Sequence, residues 1–403
     1  MVGDPAQFYA ELRAHGPVVK VNLDGDVPAY LVIGWNECNH VLRTGYLHSR
    51  DLRRWSVPQQ GGLPPDWPLA PHVQWMPNML HAEGEEHARL RDAFTASLGK
   101  IRSGRLKAVV ERAATQLIDG FLDAGRADLV SQYAVPLPML VLARLFGFPP
   151  EDEPRLQRAI MTLLEGGEGA LAANEELVEI IEGHVERRRA EPRADIVSGL
   201  LEAGLGLSEV RWTVWLSINA GMGATTAWLA NVLELLARTV DTQLDLRSGF
   251  ADVPGVMGQV LWDHTPVQQV IGRVTTTALE LGGLAIPQGA LLIVSLAGAN
   301  LDHTRFGTAD ARSSCTYGNK SHLAWGNGPH ECPAPDLATA IVRDGVELLR
   351  DRLDDIHLTH PGRPTRWSPS IIVRIPGEGG LDVSWDPGRA RGRAETFAPA
   401  GGR

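Results

Sequence analysis

One stretch near the end of the chain decides its interpretation: His322-Leu323-Ala324-Trp325-Gly326-Asn327-Gly328-Pro329-His330-Glu331-Cys332-Pro333-Ala334. Gly326 and Gly328 allow a tight turn and a close approach of the backbone to a flat ligand. Cys332 precedes a predicted helix that begins at Pro335. Backbone N–H groups and the positive end of that helix favour an ionised sulfur. The stretch therefore predicts a strand-to-helix loop that presents a thiolate to a planar ligand.

The same loop resembles the haem-binding loop of the cytochromes P450, whose pattern is Phe-Gly-x-Gly-x-His-x-Cys-x-Gly. A lone cysteine in a glycine-rich turn is more often a buried structural residue, but the spacing of the glycines, histidine and cysteine argues against that alternative. Trp325 replaces the Phe and Ala334 replaces the last Gly, and both remain apolar. The resemblance implies that the Cys332 thiolate ligates the iron of haem b. It also implies that His330 reaches a haem propionate and that Trp325, Gly326 and Ala334 contact the haem.

Other segments match the same family in the same order. His87 and Arg91 lie on one face of a predicted helix, where two donors can meet one carboxylate. Without Cys332 this pair would be interpreted as part of a solvated helical face. The resemblance implies that His87, Arg91 and the later Arg273 bind the haem propionates. The hairpin over 280–289 that follows Arg273 also fits the family.

A long predicted helix carries Ala220-Gly221-Met222-Gly223-Ala224-Thr225-Thr226. It resembles the oxygen-binding stretch of the family, Ala/Gly-Gly-x-Asp/Glu-Thr. The resemblance implies that Gly221 contacts the haem and that Met222, Gly223 and Thr225 line its distal side. Thr225 would be the catalytic alcohol that helps to deliver protons, whereas Ala224 replaces the acid and cannot relay one. The alternative for the two threonines is simple helix packing with hydrogen bonds to the carbonyls four residues earlier.

A second departure concerns the helix on which the family carries Glu-x-x-Arg. The matching run here is Gln259-Val260-Leu261-Trp262, so both ionic residues are absent. The resemblance implies that Arg312 is the meander arginine of the usual charge network, now facing the neutral Gln259. A buried charge without a partner is costly, so we expect Arg312 to be solvated or to use another acceptor, such as Asp310 or a backbone carbonyl. A Trp in this place is typical of a subset of actinobacterial cytochromes P450.

Composition excludes several other classes of protein. The chain has 403 residues and a formal net charge of -10, so it lacks the basic balance of a nucleic-acid-binding protein. Three widely spaced cysteines fit neither a disulfide framework nor a zinc site. No apolar run reaches the roughly 18 residues of a membrane span, and no signal peptide is visible at the start. We therefore expect a cytoplasmic protein that binds neither nucleic acid nor a membrane.

Hydrophobic periodicity predicts a mainly α fold with small sheets. Helical spacing dominates residues 80–245 and returns at 335–353, whereas β-type runs occur at 18–33 and 270–297. These β-rich pieces are each too small to be stable alone, so we expect them to pair with each other. Further short β-type runs are predicted near 370–374 and 381–385.

The fold class we expect is a single-domain cytochrome P450 fold over residues 1–403, an α-rich prism with small β-sheets. A tail at 387–403 is rich in Gly, Arg and Ala and is expected to be disordered. The irregular segment 55–78, which is rich in Pro, Gly and Trp, is expected to cap a substrate pocket.

The function implied by the resemblance is that of a haem-thiolate monooxygenase. Electrons would come from NAD(P)H through a ferredoxin reductase and a ferredoxin, since the chain shows no flavin or iron–sulfur domain. The substrate would be a small, apolar organic molecule. Two alternatives remain open: a haem-binding accessory or ligand-sensing protein without efficient oxygen activation, and a peroxide-driven oxidase. The missing acid at Ala224 and the absent Glu-x-x-Arg pair motivate the first alternative, and the second would bypass electron delivery.

Overall fold

The computed structural model describes residues 4–65, 67, 69–165, 169–239, 252–307, 319–353, 356–377, 379–388 and 390. Arg312 and Asp310, together with most of the tail predicted at 387–403, lie outside these residues. No helix in the described part of the chain is both long enough and apolar enough to cross a membrane.

The helices follow the predicted pattern closely. They are α1 Pro5–Arg13, α2 Trp35–Arg43, α3 Ser56–Gln59, α4 Ala70–Val73, α5 Gly84–Gly99, α6 Ser103–Phe121, α7 Pro136–Phe146, α8 Glu153–Glu165, α9 Ala170–Ala190, α10 Ile196–Glu202, α11 Leu207–Arg238, α12 Val253–Asp263, α13 Leu296–Asn300, α14 His303–Phe306 and α15 Pro335–Arg352. Helix α11 begins where the Glu209 carboxylate accepts a hydrogen bond from the Gly206 N–H at 2.9 Å. In its last turn, Arg238 donates to the Glu234 carboxylate at 2.7 Å. A basic residue is also favoured at this end by the negative end of the helix dipole.

The strands form three small sheets. They are β1 Val18–Leu23, β2 Val27–Val32, β3 His48–Ser49, β4 Arg126–Asp128, β5 Gln269–Thr275, β6 Leu279–Leu281, β7 Leu284–Ile286, β8 Leu291–Ser295, β9 His357–Leu358 and β10 Asp382–Ser384. The five-stranded sheet has the order β1-β2-β8-β5-β3, with β2 and β8 parallel and the other neighbours antiparallel. The predicted pairing of the amino-terminal hairpin with the strands after residue 265 is therefore confirmed. The other sheets are β4-β10-β9 and the hairpin β6-β7.

The strand predicted at 370–374 is wrong. Only an isolated bridge joins Val373 to Val267 in this region. The Ser370 hydroxyl accepts hydrogen bonds from the N–H groups of Ile372 and Val373, both at 3.2 Å. A side chain that binds nearby backbone groups competes with strand pairing, so the segment stays irregular.

The main hydrophobic core lies among the helices. Helix α11 packs against α7, α9 and α15, and α15 packs in turn against α6. Some buried polar groups in this core form hydrogen bonds between elements, as when the Tyr133 hydroxyl donates to the Gly345 carbonyl at 2.7 Å. Two smaller clusters cover the faces of the five-stranded sheet.

Candidate active site

A large cavity opens between α5, α7, α11 and α15. It holds about 930 Å³ of space not filled by protein atoms, including its opening to solvent. Most of its walls are apolar, with contributions from Phe94, Leu142, Phe146, Leu216 and Leu337. Eight of the ten residues predicted to hold the haem or to act in catalysis line it: His87, Arg91, Gly221, Thr225, Trp325, His330, Cys332 and Ala334. The other two, Gly326 and Arg273, lie outside its lining.

Short hydrogen bonds close the loop that carries Cys332. The Cys332 N–H donates to the Trp325 carbonyl at 2.8 Å, and the Gly326 N–H donates to the Leu323 carbonyl at 2.8 Å. The Ala334 N–H points at the Cys332 Sγ at 3.5 Å, just before α15 begins. The loop therefore holds the sulfur at the cavity wall with one backbone donor directed at it.

Gly328 is required by the position of this loop against α2. Its φ is +74°, and a Cβ atom there would lie 2.8 Å from the Leu42 carbonyl oxygen and 2.9 Å from the Arg43 Cα. Any larger residue would have to push the loop away from the backbone of α2.

Burial acts against an ionised sulfur at Cys332. Burial raises the pKa of the Cys332 thiol, although the Ala334 N–H and the nearby Arg91 lower it. The predicted backbone donor is thus present, but desolvation outweighs it. A bound metal cation would reverse this balance, because a coordinating thiol loses its proton.

Two histidines and an arginine form one edge of the cavity. The rings of His87 and His330 lie with centroids 4.1 Å apart. Burial lowers the pKa of His330 to about 4, despite the opposing effect of Glu83. Arg91 lines the cavity and makes no ion pair with any described residue. This edge therefore offers a free guanidinium group beside two neutral imidazoles.

Arg273 lies behind this edge and is buried in protein. Its side chain donates to the carbonyls of His48 at 2.9 Å and Leu42 at 3.4 Å, while its Nε has no hydrogen-bond partner among the described residues. Burial lowers the pKa of Arg273 to about 10, so it stays charged at neutral pH. Its role toward a propionate remains a prediction.

Sequence reasoning missed two residues at this edge, Glu83 and Arg50. The Glu83 carboxylate accepts from the Arg50 backbone N–H and from the Ser49 hydroxyl at 3.2 Å, and it lies 3.4 Å from the His330 Nε2. Burial raises the pKa of Glu83, but the hydrogen bonds from His330 and the Arg50 backbone hold it below its usual value. The sequence carries no signal for this role: Glu83 occupies the N-cap position of α5, where an acid is ordinary, and only the structure shows that its side chain makes no cap hydrogen bond.

Helix α11 presents a stripe of small residues to the cavity. Gly221, Ala224 and Thr225 all line it, as the helical period of 3.6 residues requires. The predicted distal positions of Met222 and Gly223 are wrong. Met222 is fully buried in the helical core, and neither residue is part of the lining, because both lie more than a quarter turn from the centre of the stripe.

The Thr225 hydroxyl makes no hydrogen bond with a described residue. By contrast, the Ser217 hydroxyl, two turns earlier, donates to the Thr213 carbonyl four residues before it, at 2.6 Å. The alternative in which Thr225 and Thr226 form such bonds to preceding carbonyls therefore has no support. The Thr225 hydroxyl is available to the cavity.

Comparison with known proteins shows the family to which this chain belongs. No family model matches the chain. Cytochrome P450-SU2 from Streptomyces griseolus, however, is 31% identical over 394 residues, which cover 95% of this chain and 94% of that protein. The chain belongs to the cytochrome P450 family.

Other cytochromes P450 agree in sequence and structure. The monooxygenase PikC from Streptomyces venezuelae is 28% identical over 400 residues, covering 97% of this chain and 93% of PikC. The structure of CYP154C4 from Streptomyces sp. W2061 superimposes with a TM-score of 0.85 at 27% identity, covering 94% of this chain and 96% of that one. The predicted mainly α cytochrome P450 fold is thus confirmed. Its cofactor is haem, and the chain is an oxidoreductase of the haem-thiolate class.

The cavity of this P450 fits haem by the chemistry of its walls. Apolar side chains surround the space that a macrocycle needs, Cys332 supplies a sulfur, and the edge at Arg91 is cationic. An arginine without an anionic partner at an otherwise apolar wall is suited to a propionate.

Trp262 fills the position where the family carries the arginine of Glu-x-x-Arg. It is 1% exposed, and its indole N–H donates to the Asn319 carbonyl at 3.0 Å. Its ring packs edge-on against Phe306 and His322, with centroids 5.0 and 5.6 Å away. A cluster of aromatic rings therefore fills the interior around Trp262.

Asn300 supplies a neutral link between α12 and the cysteine loop. Its amide NH₂ donates to the Leu261 carbonyl at 3.1 Å and to the Thr265 hydroxyl at 3.0 Å. Its side-chain oxygen accepts from the Leu323 N–H at 2.7 Å. Fully buried amide contacts of this kind can hold the loop in register without buried charges.

The segment 55–78 packs mainly against the sheet. Trp55 and Trp67 belong to the hydrophobic cluster of β2, β5 and β8, and the Trp67 indole donates to the Asp24 carbonyl at 2.8 Å. Neither residue lines the cavity described above; Met79 and Leu80, just after the segment, do. The predicted role of these tryptophans as a cap over the pocket is therefore wrong for this cavity.

Proposed function

We propose that this P450 inserts one oxygen atom of O₂ into a C–H bond of a small, apolar organic substrate and releases the other atom as water. The observation that carries the proposal is that the Cys332 sulfur and the unbonded Thr225 hydroxyl line the same apolar cavity. Electrons from NAD(P)H, delivered through a ferredoxin reductase and a ferredoxin, complete the reaction.

The residues of the cavity divide into roles. Cys332 would ligate the haem iron, and the thiolate-ligated haem supplies the activation of dioxygen. Arg91, His87 and His330 would hold the propionates, with Arg273 behind them. Contacts with the macrocycle would come from Trp325, Gly326, Ala334 and Gly221.

Thr225 would hold a water molecule and direct its proton toward the oxygen being reduced. General acid catalysis of this kind needs a donor within hydrogen-bond reach, and the Thr225 hydroxyl has no competing partner in the described part of the chain. No carboxylate lines the cavity among the described residues. Proton delivery would therefore run through water held by Thr225 rather than through a side-chain acid.

The apolar walls support the proposed substrate class. Phe94, Phe146 and Leu216 offer no hydrogen bonds, so a strongly polar molecule would lose its hydration without compensation.

Oxygen-isotope labelling tests the proposal. The holoprotein is supplied with NADPH, ferredoxin, ferredoxin reductase, ¹⁸O₂ and testosterone as an apolar probe, with Cys332→Ala as the control. One ¹⁸O atom in a product that needs Cys332 and NADPH supports the proposal. The proposal is contradicted if a thiolate-ligated protein that binds the probe shows no NADPH-dependent O₂ uptake and forms no labelled product.

A second candidate is favoured by the absence of a carboxylate from the described cavity lining. It is a haem-binding accessory or ligand-sensing protein without efficient oxygen activation, which would form no NADPH-dependent product. A peroxide-driven oxidase is a separate alternative, in which product forms only with added hydrogen peroxide, takes its oxygen from the peroxide, and disappears when catalase is present.

A further inference from the structure

Glu83 is a carboxylate that the roles above leave unused. It lies at the cationic edge of the cavity, fixed by the Ser49 hydroxyl and the Arg50 backbone N–H. A Cβ atom on Gly45 would lie 3.1 Å from a Glu83 carboxylate oxygen and 4.0 Å from the Arg273 guanidinium. The Glu83 carboxylate and the Arg273 guanidinium thus both lie close to the backbone at Gly45.

Arg50 and Arg273 are buried cations without an ion pair in the described part of the chain. They are 4% and 1% exposed. The Arg50 guanidinium donates to the carbonyls of Ile271 at 2.8 Å and Gly272 at 3.2 Å. Burial lowers the pKa of Arg50 to about 9 and that of Arg273 to about 10, and the negative charge of Glu83 opposes this lowering at both arginines. A buried cation needs such a countercharge.

We propose that Glu83 is a positioning residue that sets the net charge of the propionate edge. Arg50 and Arg273 lie near the Glu83 carboxylate, and Arg91 lines the cavity beside His87, so these four groups together carry two net positive charges. A haem brings two propionates, which match that charge. The proposal rests on the haem-binding roles assigned above and deepens them.

Removing the Glu83 charge would leave one uncompensated positive charge beside the haem. In the low dielectric of the protein interior such a charge acts strongly on its neighbours. This positive charge would favour the reduced haem over the oxidised haem. It would also strengthen the attraction between the protein and the haem propionates. The reduction potential should therefore move in the positive direction, and haem should leave the protein more slowly.

The test uses holoproteins that first show the carbon monoxide spectrum of a thiolate-ligated haem. The variant Glu83→Gln keeps the size and hydrogen-bonding oxygen of the side chain but removes its charge. The matched control is Glu85→Gln, which removes an exposed acid two residues away. The midpoint potential is measured by spectroelectrochemical titration, and haem loss by transfer to excess apomyoglobin. Neither measurement requires turnover, so failure of the proposed catalytic function would not affect them.

We expect a positive shift in potential and slower haem loss for Glu83→Gln, with little change for Glu85→Gln. Equal potentials for the two variants would overturn the proposal. Glu83→Asp keeps the charge and should stay near the wild-type potential, whereas a merely structural role would disturb both Glu83 variants alike. The double variant Glu83→Gln/Arg91→Gln restores the net charge, so a positive shift that persists in it also contradicts the proposal.

Discussion

Ala224 is the single residue at which the chemistry of this P450 departs most from its family. It lines the cavity beside Thr225, and a methyl group can neither donate nor relay a proton. The Thr225 hydroxyl is left to organise water alone. Proton delivery is therefore expected to limit turnover.

Ala224→Asp should raise NADPH-coupled product formation. A positioned general acid commonly contributes a factor of roughly 10²–10⁴, so a gain of about tenfold or more is expected even with imperfect placement. The measurement is product formed per NADPH consumed, with Ala220→Asp as control, because Ala220 lines the same wall one turn earlier. No gain in Ala224→Asp, or an equal gain in both variants, would mean that proton delivery is not limiting.

At the scale of elements, two of the contacts that hold the cysteine loop in place are the approach of Gly328 to α2 and the Asn300 amide that joins Leu323 to α12. Both contacts are formed by backbone groups or a neutral amide. In this chain the loop is therefore positioned by steric fit and hydrogen bonding.

Gly328→Ala should displace the loop and weaken haem binding. The added Cβ would collide with the backbone of α2, and backbone cannot rotate out of the way as a side chain can. Gly283→Ala is the control, because its φ is also positive, at +79°, but a Cβ there would meet nothing within 4 Å. Haem content after purification is the measurement; equal content in the two variants would refute the steric argument.

Trp262→Ala should lower the free energy of unfolding by about 3–5 kcal/mol, since it empties a large, fully packed site. Trp262→Phe keeps most of the packing and loses the hydrogen bond to Asn319, so it should cost only about 1 kcal/mol. Urea unfolding of both variants checks this. Similar, small decreases in the free energy of unfolding for Trp262→Ala and Trp262→Phe would show that Trp262 does not stabilise the core.

Sequence patterns predicted the elements well because apolar periodicity is local. The helices, the amino-terminal hairpin and its pairing with β8 could all be derived this way. The strand predicted at 370–374 is absent, because the Ser370 side chain binds backbone groups that a strand would use. The family motif predicted the cavity residues, but Glu83 reaches its partners on β3 and the cysteine loop only through the fold.

At the scale of the whole molecule, the cavity touches α5, α7, α11 and α15 together. A ligand that fills it would bridge elements that are far apart in sequence. Because binding to the native state alone stabilises that state, haem should contribute directly to the stability of the fold.

The holoprotein should therefore melt at a higher temperature than the apoprotein. Free haem at 1,000 times its dissociation constant would stabilise the native state by about 4 kcal/mol. Thermal unfolding is followed by circular dichroism with and without haem. If the holoprotein and the apoprotein melt at the same temperature, and this temperature does not change with haem concentration, haem does not bridge these helices.

Ligation of haem iron by the Cys332 thiolate is the central claim, and the absorption spectrum of the dithionite-reduced protein with and without carbon monoxide tests it most directly. The wild type and Cys38→Ala, which removes a buried cysteine that donates to the Val32 carbonyl, should both show the strongly red-shifted Soret band of a thiolate ligand. Cys332→Ala should lose that band. An unchanged band in Cys332→Ala, or a wild-type band at the position typical of neutral axial ligands, would contradict the assignment.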